Sequence, residues 1–267
     1  MKITPNQFAW GFVIVLAGLI GWGGYALYQF FQHPADTILS IENEKKLGEM
    51  FDQQIRKENG EEAVVHVAFA DSCLQAIHHR LLSGLDGSSY EYNITLLKGA
   101  DANAFAIPGG NVYVYTGLIQ FCNSPEELAA VMAHEMGHVE KRHTVNKIAK
   151  QIGVSALISM ITDGTGDIQQ ISGKLINNFF SRTDEAEADD FALQLLEKCN
   201  IRPAILGEVF HRMKHDHGDM EGMMNLLSTH PELEQRSAKA SAYVVKSGFE
   251  ERVIALDWKK FQNVLAQ

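Results

Sequence analysis

The stretch that most restricts the fold runs from Ser124 to His143, SPEELAAVMAHEMGHVEKRH, because it sets His134, Glu135 and His138 in an H-E-x-x-H arrangement on one predicted helix. Ser124 is a good N-cap, Pro125 suits the first helical position and Glu127 follows the cap by three residues, so a capping box starts the helix at Pro125. Leu128, Met132, Met136 and Val139 mark one apolar face for the core, and His134 and His138 lie one turn apart on a neighbouring face. Two imidazoles so placed can bind one metal ion. Glu135, about 100° round the helix from His134, borders the same site without needing to be a ligand. That suits a base acting on metal-activated water.

With eleven histidines in 267 residues, the bland alternative is a buried, hydrogen-bonded histidine pair. A catalytic zinc needs three protein ligands and an open position, so a second helix must bring the third. Ser181 to Lys198, SRTDEAEADDFALQLLEK, supplies one: Ser181 or Thr183 can cap it, and its first turn is acidic, as the helix dipole favours. Glu185 and Asp189, four apart, share a face, while Ala188, Phe191 and Leu195 form an apolar stripe. Glu185 is placed to reach the metal, and Asp189 to hold a ligand imidazole by its distal N–H. Alone, the segment would read as a solvated acidic helix start.

These residues resemble the gluzincin peptidases that include the CAAX prenyl proteases, the HtpX heat-shock protease and the mitochondrial Oma-type and periplasmic quality-control proteases. His134-Glu135-Met136-Gly137-His138 is similar to that family's H-E-x-G-H, and Glu185 with Ala188 and Asp189 to its E-x-x-A-D block. Asn103 to Gly110, NAFAIPGG, resembles the strand and turn before the zinc helix, and His230-Pro231, followed by Arg236, the late H-P block. The resemblance implies a zincin-like domain with Zn²⁺ held by His134, His138 and Glu185. It also implies Glu135 as base and His230 beside the substrate carbonyl, donating to the developing oxyanion.

Phe8 to Phe31 is 24 residues without a charged side chain, about 36 Å as a helix, enough to cross a hydrocarbon core of roughly 30 Å. It reads as a transmembrane anchor with Trp10, Trp22, Tyr25 and Tyr28 as candidates for the interfaces. A cleaved signal peptide competes, but its apolar region usually ends at an A-x-A-like site, and none is evident. Lys2 before the span nearly balances Lys45 and Lys46 after it, so charge sets orientation weakly. The resemblance places the catalytic domain on the extracytoplasmic side. Cys73, Cys122 and Cys199 form no C-x-x-C pair and are odd in number, which marks them as core or free thiols.

The remaining chain makes one domain of ordinary size. A net charge of −10 argues against nucleic acid and against anionic lipid as partners. Ile38 to Lys57 and Asp71 to Leu82 read as helices, the second capped by Asp71. Tyr90 to Leu97, Ala104 to Ile107 and Val112 to Tyr115 read as short strands of an antiparallel sheet. Asn103, Ala104, Phe105 and Ala106 would form an edge able to pair with an extended peptide. Thr144 to Ile161 reads as helix, followed by a glycine-rich loop and a helical run to Phe180; Pro203 to Lys214, Met220 to Leu227 and a helix opened by Pro231 come after. His66, His78 and His79 read as surface or core histidines, and His211, His215 and His217, which could bind metal adventitiously, as solvated ones. The expectation is a mostly helical α+β zinc metalloendopeptidase, residues 34–267, on an anchor of residues 1–33, cleaving misfolded or membrane-associated polypeptides in quality control. The rival is a membrane-tethered chaperone or binding protein that keeps zinc for folding, with His230 closing the site.

Overall fold

Alternation organises the centre of the molecule. In the computed structural model, which describes residues 5–164, 166, 168, 169, 171, 180–215 and 230–266, three strands form one sheet: β1 (Asn93–Leu97), β2 (Ala104–Ile107) and β3 (Asn111–Tyr115), in the order β1-β3-β2. Val112 and Val114 face one core and Tyr113 the other, as the period of a strand requires. β3 runs antiparallel to β2, with Ala106 opposite Val112, but parallel to β1, with Ile94 opposite Val112. The sheet is therefore mixed, not antiparallel as expected. Residues 98–103 carry the chain past the place that β3 takes, and alternation identifies strands without ordering them. The first strand is also shorter than Tyr90–Leu97, since Tyr90 and Tyr92 turn their hydroxyls to Glu44 (3.0 Å) and Glu140 (2.9 Å).

Ahead of the sheet lie α1 (Pro5–Gln32), α2 (Pro34–Ile38), α3 (Ile41–Asn59) and α4 (Ala68–Leu82). After it come α5 (Thr116–Phe121), α6 (Pro125–Glu140), α7 (His143–Ile152), α8 (Val154–Asp163), α9 (Arg182–Lys198), α10 (Ile205–His215), α11 (Leu233–Ser241) and α12 (Trp258–Leu265). Leu47, Phe51 and Ile55 of α3 join Ile148 and Leu157 over the Tyr113 face. Ile77, Leu128, Met132 and Leu196 cover the other face, so α6 lies between the sheet and α9. The turn Pro108–Gly110 meets α3 at Gly48, where a Cβ would fall 2.1 Å from the Pro108 carbonyl oxygen; only glycine fits there.

Helix ends depart from the sequence reading where a local group outcompetes periodicity. Ser40 caps α3, which moves its start to Ile41, and α4 begins at Ala68, leaving Asp71 in its first turn instead of at the cap. Gly153, at φ 83°, splits the expected Thr144–Ile161 helix into α7 and α8. Pro231 does not open α11: Glu232 takes a left-handed φ of 63° and Leu233 is the first helical residue. The helices expected over Met220–Leu227 and before Phe180 lie outside the described residues. The cysteines are free and buried, as expected.

The transmembrane helix expected over Phe8–Phe31 is not found: among the described residues no helix is long and apolar enough to cross a membrane. The segment is helical, within α1, and carries no charge. Its side chains are described without a break only from Val13 to Tyr28, a run of about 24 Å at 1.5 Å per residue. Four glycines, Trp22, Tyr25 and Tyr28 further dilute its apolarity.

Candidate metal centre

α6 starts at Pro125 because Ser124 Oγ accepts from the Glu127 N–H. The capping box is only half formed, since the Glu127 carboxylate turns to the Asn123 N–H (2.6 Å) and to Arg212. Every residue from Pro125 to Val139 is buried, including His134, Glu135 and His138. α9 is capped by Ser181, with Asp184 completing a box, and crosses α6 closely enough that a Cβ on Gly137 would lie 2.8 Å from the Ala188 carbonyl oxygen. The glycine of H-E-x-G-H thus lets the two ligand helices touch.

That contact brings Glu185 to the histidines. His134 Nε2 lies 3.2 Å from His138 Nε2, 3.5 Å from Glu185 Oε2 and 3.3 Å from His230 Nδ1. His138 Nε2 is 3.6 Å, and His230 Nδ1 2.9 Å, from Glu185 Oε1. All four ligand atoms fall within 4.8 Å of one another. Donors about 2.0–2.1 Å from a tetrahedral zinc stand about 3.3 Å apart, so these spacings are those of a tetrahedron's edges. Charge agrees in sign: the buried carboxylates Glu135, Glu185 and Asp189 outnumber the one buried guanidinium among them, that of Arg236, a surplus that a divalent cation would offset. The residues fit a zinc ion.

Around the cluster, Asp189 Oδ1 accepts from His134 Nδ1 at 3.0 Å. Arg236 donates to both Asp189 oxygens at 2.7 Å and also contacts Glu185. Burial lowers the proton affinity of His134, but Asp189 and Glu185 outweigh it and raise its pKa to about 9. Burial takes His138 well below its usual value, helped by the neighbouring imidazoles and opposed by Glu185. Glu135 is pushed up by burial, with the Ala106 N–H and two imidazoles pulling the other way; a raised carboxylate suits a base that must also give its proton back. His230 turns Nε2 toward Glu135 Oε1, 3.7 Å away.

The structure places Asn103 just before the edge strand β2 and not within it as expected. The 3.1 Å bond from the Tyr115 N–H to the Asn103 carbonyl fixes the phase of the ladder, so the polar backbone groups of Ala104 and Ala106 point away from β3. Those of Ala106 are already engaged, the N–H by Glu135 and the carbonyl by Thr144 Oγ1 at 3.4 Å. Three contacts escaped the sequence reading. His143 approaches His138, Phe180 stacks on His138 with ring centroids 3.9 Å apart, and Lys147 lies 4.1 Å over Phe180. Only His143, inside the opening stretch, carried a signal: a histidine beside a ligand helix.

Comparison with known proteins agrees with this geometry. The sequence profile of peptidase family M48 matches residues 70–244. The mitochondrial metalloendopeptidase OMA1 of Schizosaccharomyces pombe is 26% identical over 257 residues, 91% of this chain and 75% of that protein. The metalloprotease LoiP of Escherichia coli is 31% identical over 173 residues, 61% of this chain and 66% of that protein. The β-barrel assembly-enhancing protease of Escherichia coli is 26% identical over 221 residues, 77% of this chain but 45% of that protein.

Proposed function

The chain belongs to peptidase family M48, and on that footing we propose that it is a membrane-anchored zinc endopeptidase cutting misfolded or membrane-associated polypeptides. The observation that carries the reading is the juxtaposition of His134, His138 and Glu185 at tetrahedral spacing with the buried carboxylate of Glu135 beside them. Zinc bound there would supply Lewis acidity, drawing the pKa of a water toward about 7 and polarising a peptide carbonyl. Glu135 takes the proton of the attacking water at its carboxylate and returns it to the leaving amine. The Ala106 N–H holds that carboxylate in place. Asp189, itself gripped by Arg236, keeps the His134 proton on Nδ1 and so frees Nε2. His230 Nε2 donates to the developing oxyanion, and Asn103 to Ala106 receive the substrate backbone.

Anchoring is supported by α1. Each described side chain from Val13 to Tyr28 is exposed, an apolar surface of an extent that calls for lipid. We place the boundary at residue 33, because α2 already packs on α7 and α8, and the catalytic domain on the extracytoplasmic side. The relatives' names, a mitochondrial metalloendopeptidase and a β-barrel assembly-enhancing protease, support a quality-control role.

One observation favours the rival, a closed structural site in a protein that binds but does not cut: His230 Nδ1 stands at the fourth corner, 2.9 Å from Glu185. Detergent-extracted full-length chain separates the two. The peptidase reading expects cleavage of unfolded casein that stops on chelation and returns with zinc; a chain that keeps its zinc yet cuts neither casein nor unfolded membrane protein is the closed site.

A further inference from the structure

The ligand His134 has a carboxylate directly behind its distal nitrogen, whereas among the described residues none stands behind that of His138. Its distal Nδ1 instead faces another ring nitrogen, Nδ1 of His143, at 3.1 Å. The far nitrogen of His143, Nε2, lies 3.3 Å from Glu187 Oε2 and 3.8 Å from Asp184 Oδ1. His143 has no exposed side-chain surface, so bulk solvent does not reach its ring nitrogens. We infer that His143, backed by Glu187, is a positioning residue that fixes His138 in its metal-binding tautomer through a carboxylate–histidine–histidine relay. This rests on the reading that the cluster holds zinc.

The direction of each hydrogen bond follows from which groups can donate. Ionised carboxylates only accept, so Glu187 and Asp184 demand that His143 carry its proton on Nε2. A neutral His143 then offers a bare lone pair at Nδ1. His138 must meet that lone pair with a proton on its own Nδ1, which leaves His138 Nε2 unprotonated where it faces His134 and Glu185. The opposite order would put a proton on Nε2, aimed into the cluster, and block ligation. One side chain therefore transmits the same information to His138 that Asp189 gives to His134 directly, and α9 supplies both ends, Asp189 for one ligand and Glu187 for the other.

The backbone is bent to make this contact. Five residues along a continuous helix lie about 140° apart in rotation, which would turn His143 away from His138. α6 instead stops at Glu140, and Arg142 adopts a left-handed φ of 56° that starts α7 at His143 and returns its ring to the ligand. A non-glycine residue in that conformation needs external support. Arg142 has it from Glu44 at 2.9 Å and the Leu39 carbonyl at 2.6 Å.

The test measures zinc affinity of the full-length chain by competition with a chromophoric chelator, beside nitrogen-15 histidine spectra of the zinc-loaded protein. His143→Leu should bind zinc ~10–100-fold more weakly, the usual consequence of losing a ligand's outer partner. Glu187→Gln keeps an acceptor oxygen and should lose less, with no change in folding, because Glu187 is half-exposed. The spectra should show His138 protonated at Nδ1 and His143 at Nε2, a signature that mere packing would not produce. Wild-type affinity in His143→Leu, or a His143 protonated at Nδ1, overturns the relay while leaving the metal site standing. Should His143→Leu fail to fold, the Glu187→Gln affinity and the wild-type spectrum decide. A wild-type chain that binds no zinc would instead overturn the metallopeptidase reading and the relay together.

Discussion

His134, His138 and Glu185 each offer one of the ligand atoms that converge within 4.8 Å, so changing any one to alanine should leave the purified chain without its roughly one zinc per molecule. Elemental analysis checks this; zinc retained in Glu185→Ala would move the third ligand to another carboxylate of α9. Gly137 is the structural counterpart. A methyl there meets backbone, with Ala188 Cα at 2.9 Å, and overpacking that cannot relax typically costs about 1–3 kcal/mol. Gly137→Ala should lower the thermal midpoint and loosen zinc together, where a fall in stability with unchanged zinc affinity would mean that the helices part elsewhere. These residues were legible because each chemical role has its own spacing. His143 was not, since its partner is reached by a backbone reversal at Arg142 that no periodicity announces.

At the scale of elements, the two ligand helices and their serine caps followed from the sequence, while the order of strands and the links between helices did not. Ser124 and Ser181 set α6 and α9 where expected, because a cap is a contact within four residues. The parallel pairing of β1 with β3 and the break at Gly153 depend on what lies across the fold. The tie between α3 and the end of α6 is another such contact. Glu44, 1% exposed, is matched by Arg142 at 2.9 Å and the Tyr90 hydroxyl at 3.0 Å. Removing the cation from a buried pair typically costs about 3–5 kcal/mol, so Arg142→Met should lower urea stability by that order, and the double change with Glu44→Gln should recover part of it. Additive losses in the double variant would show that the pair is not coupled.

For the whole molecule, α1 and the metal centre make separate claims. If α1 anchors the chain with its catalytic domain outside, a tag after Gln267 should be cut by protease added to intact spheroplasts; protection until lysis would reverse the topology. The central claim is that this is an enzyme with Glu135 as its base. Glu135 is buried, touches His230 and takes the Ala106 N–H, yet is not among the residues that converge on the metal position. Glu135→Gln keeps the size and one acceptor oxygen while removing the basic one, so the variant should fold and hold zinc as the wild type does. General acid–base catalysis typically contributes about 10² to 10⁴ in rate, and casein cleavage by the full-length variant should fall by at least that. Cleavage that persists equally in Glu135→Gln would contradict the mechanism.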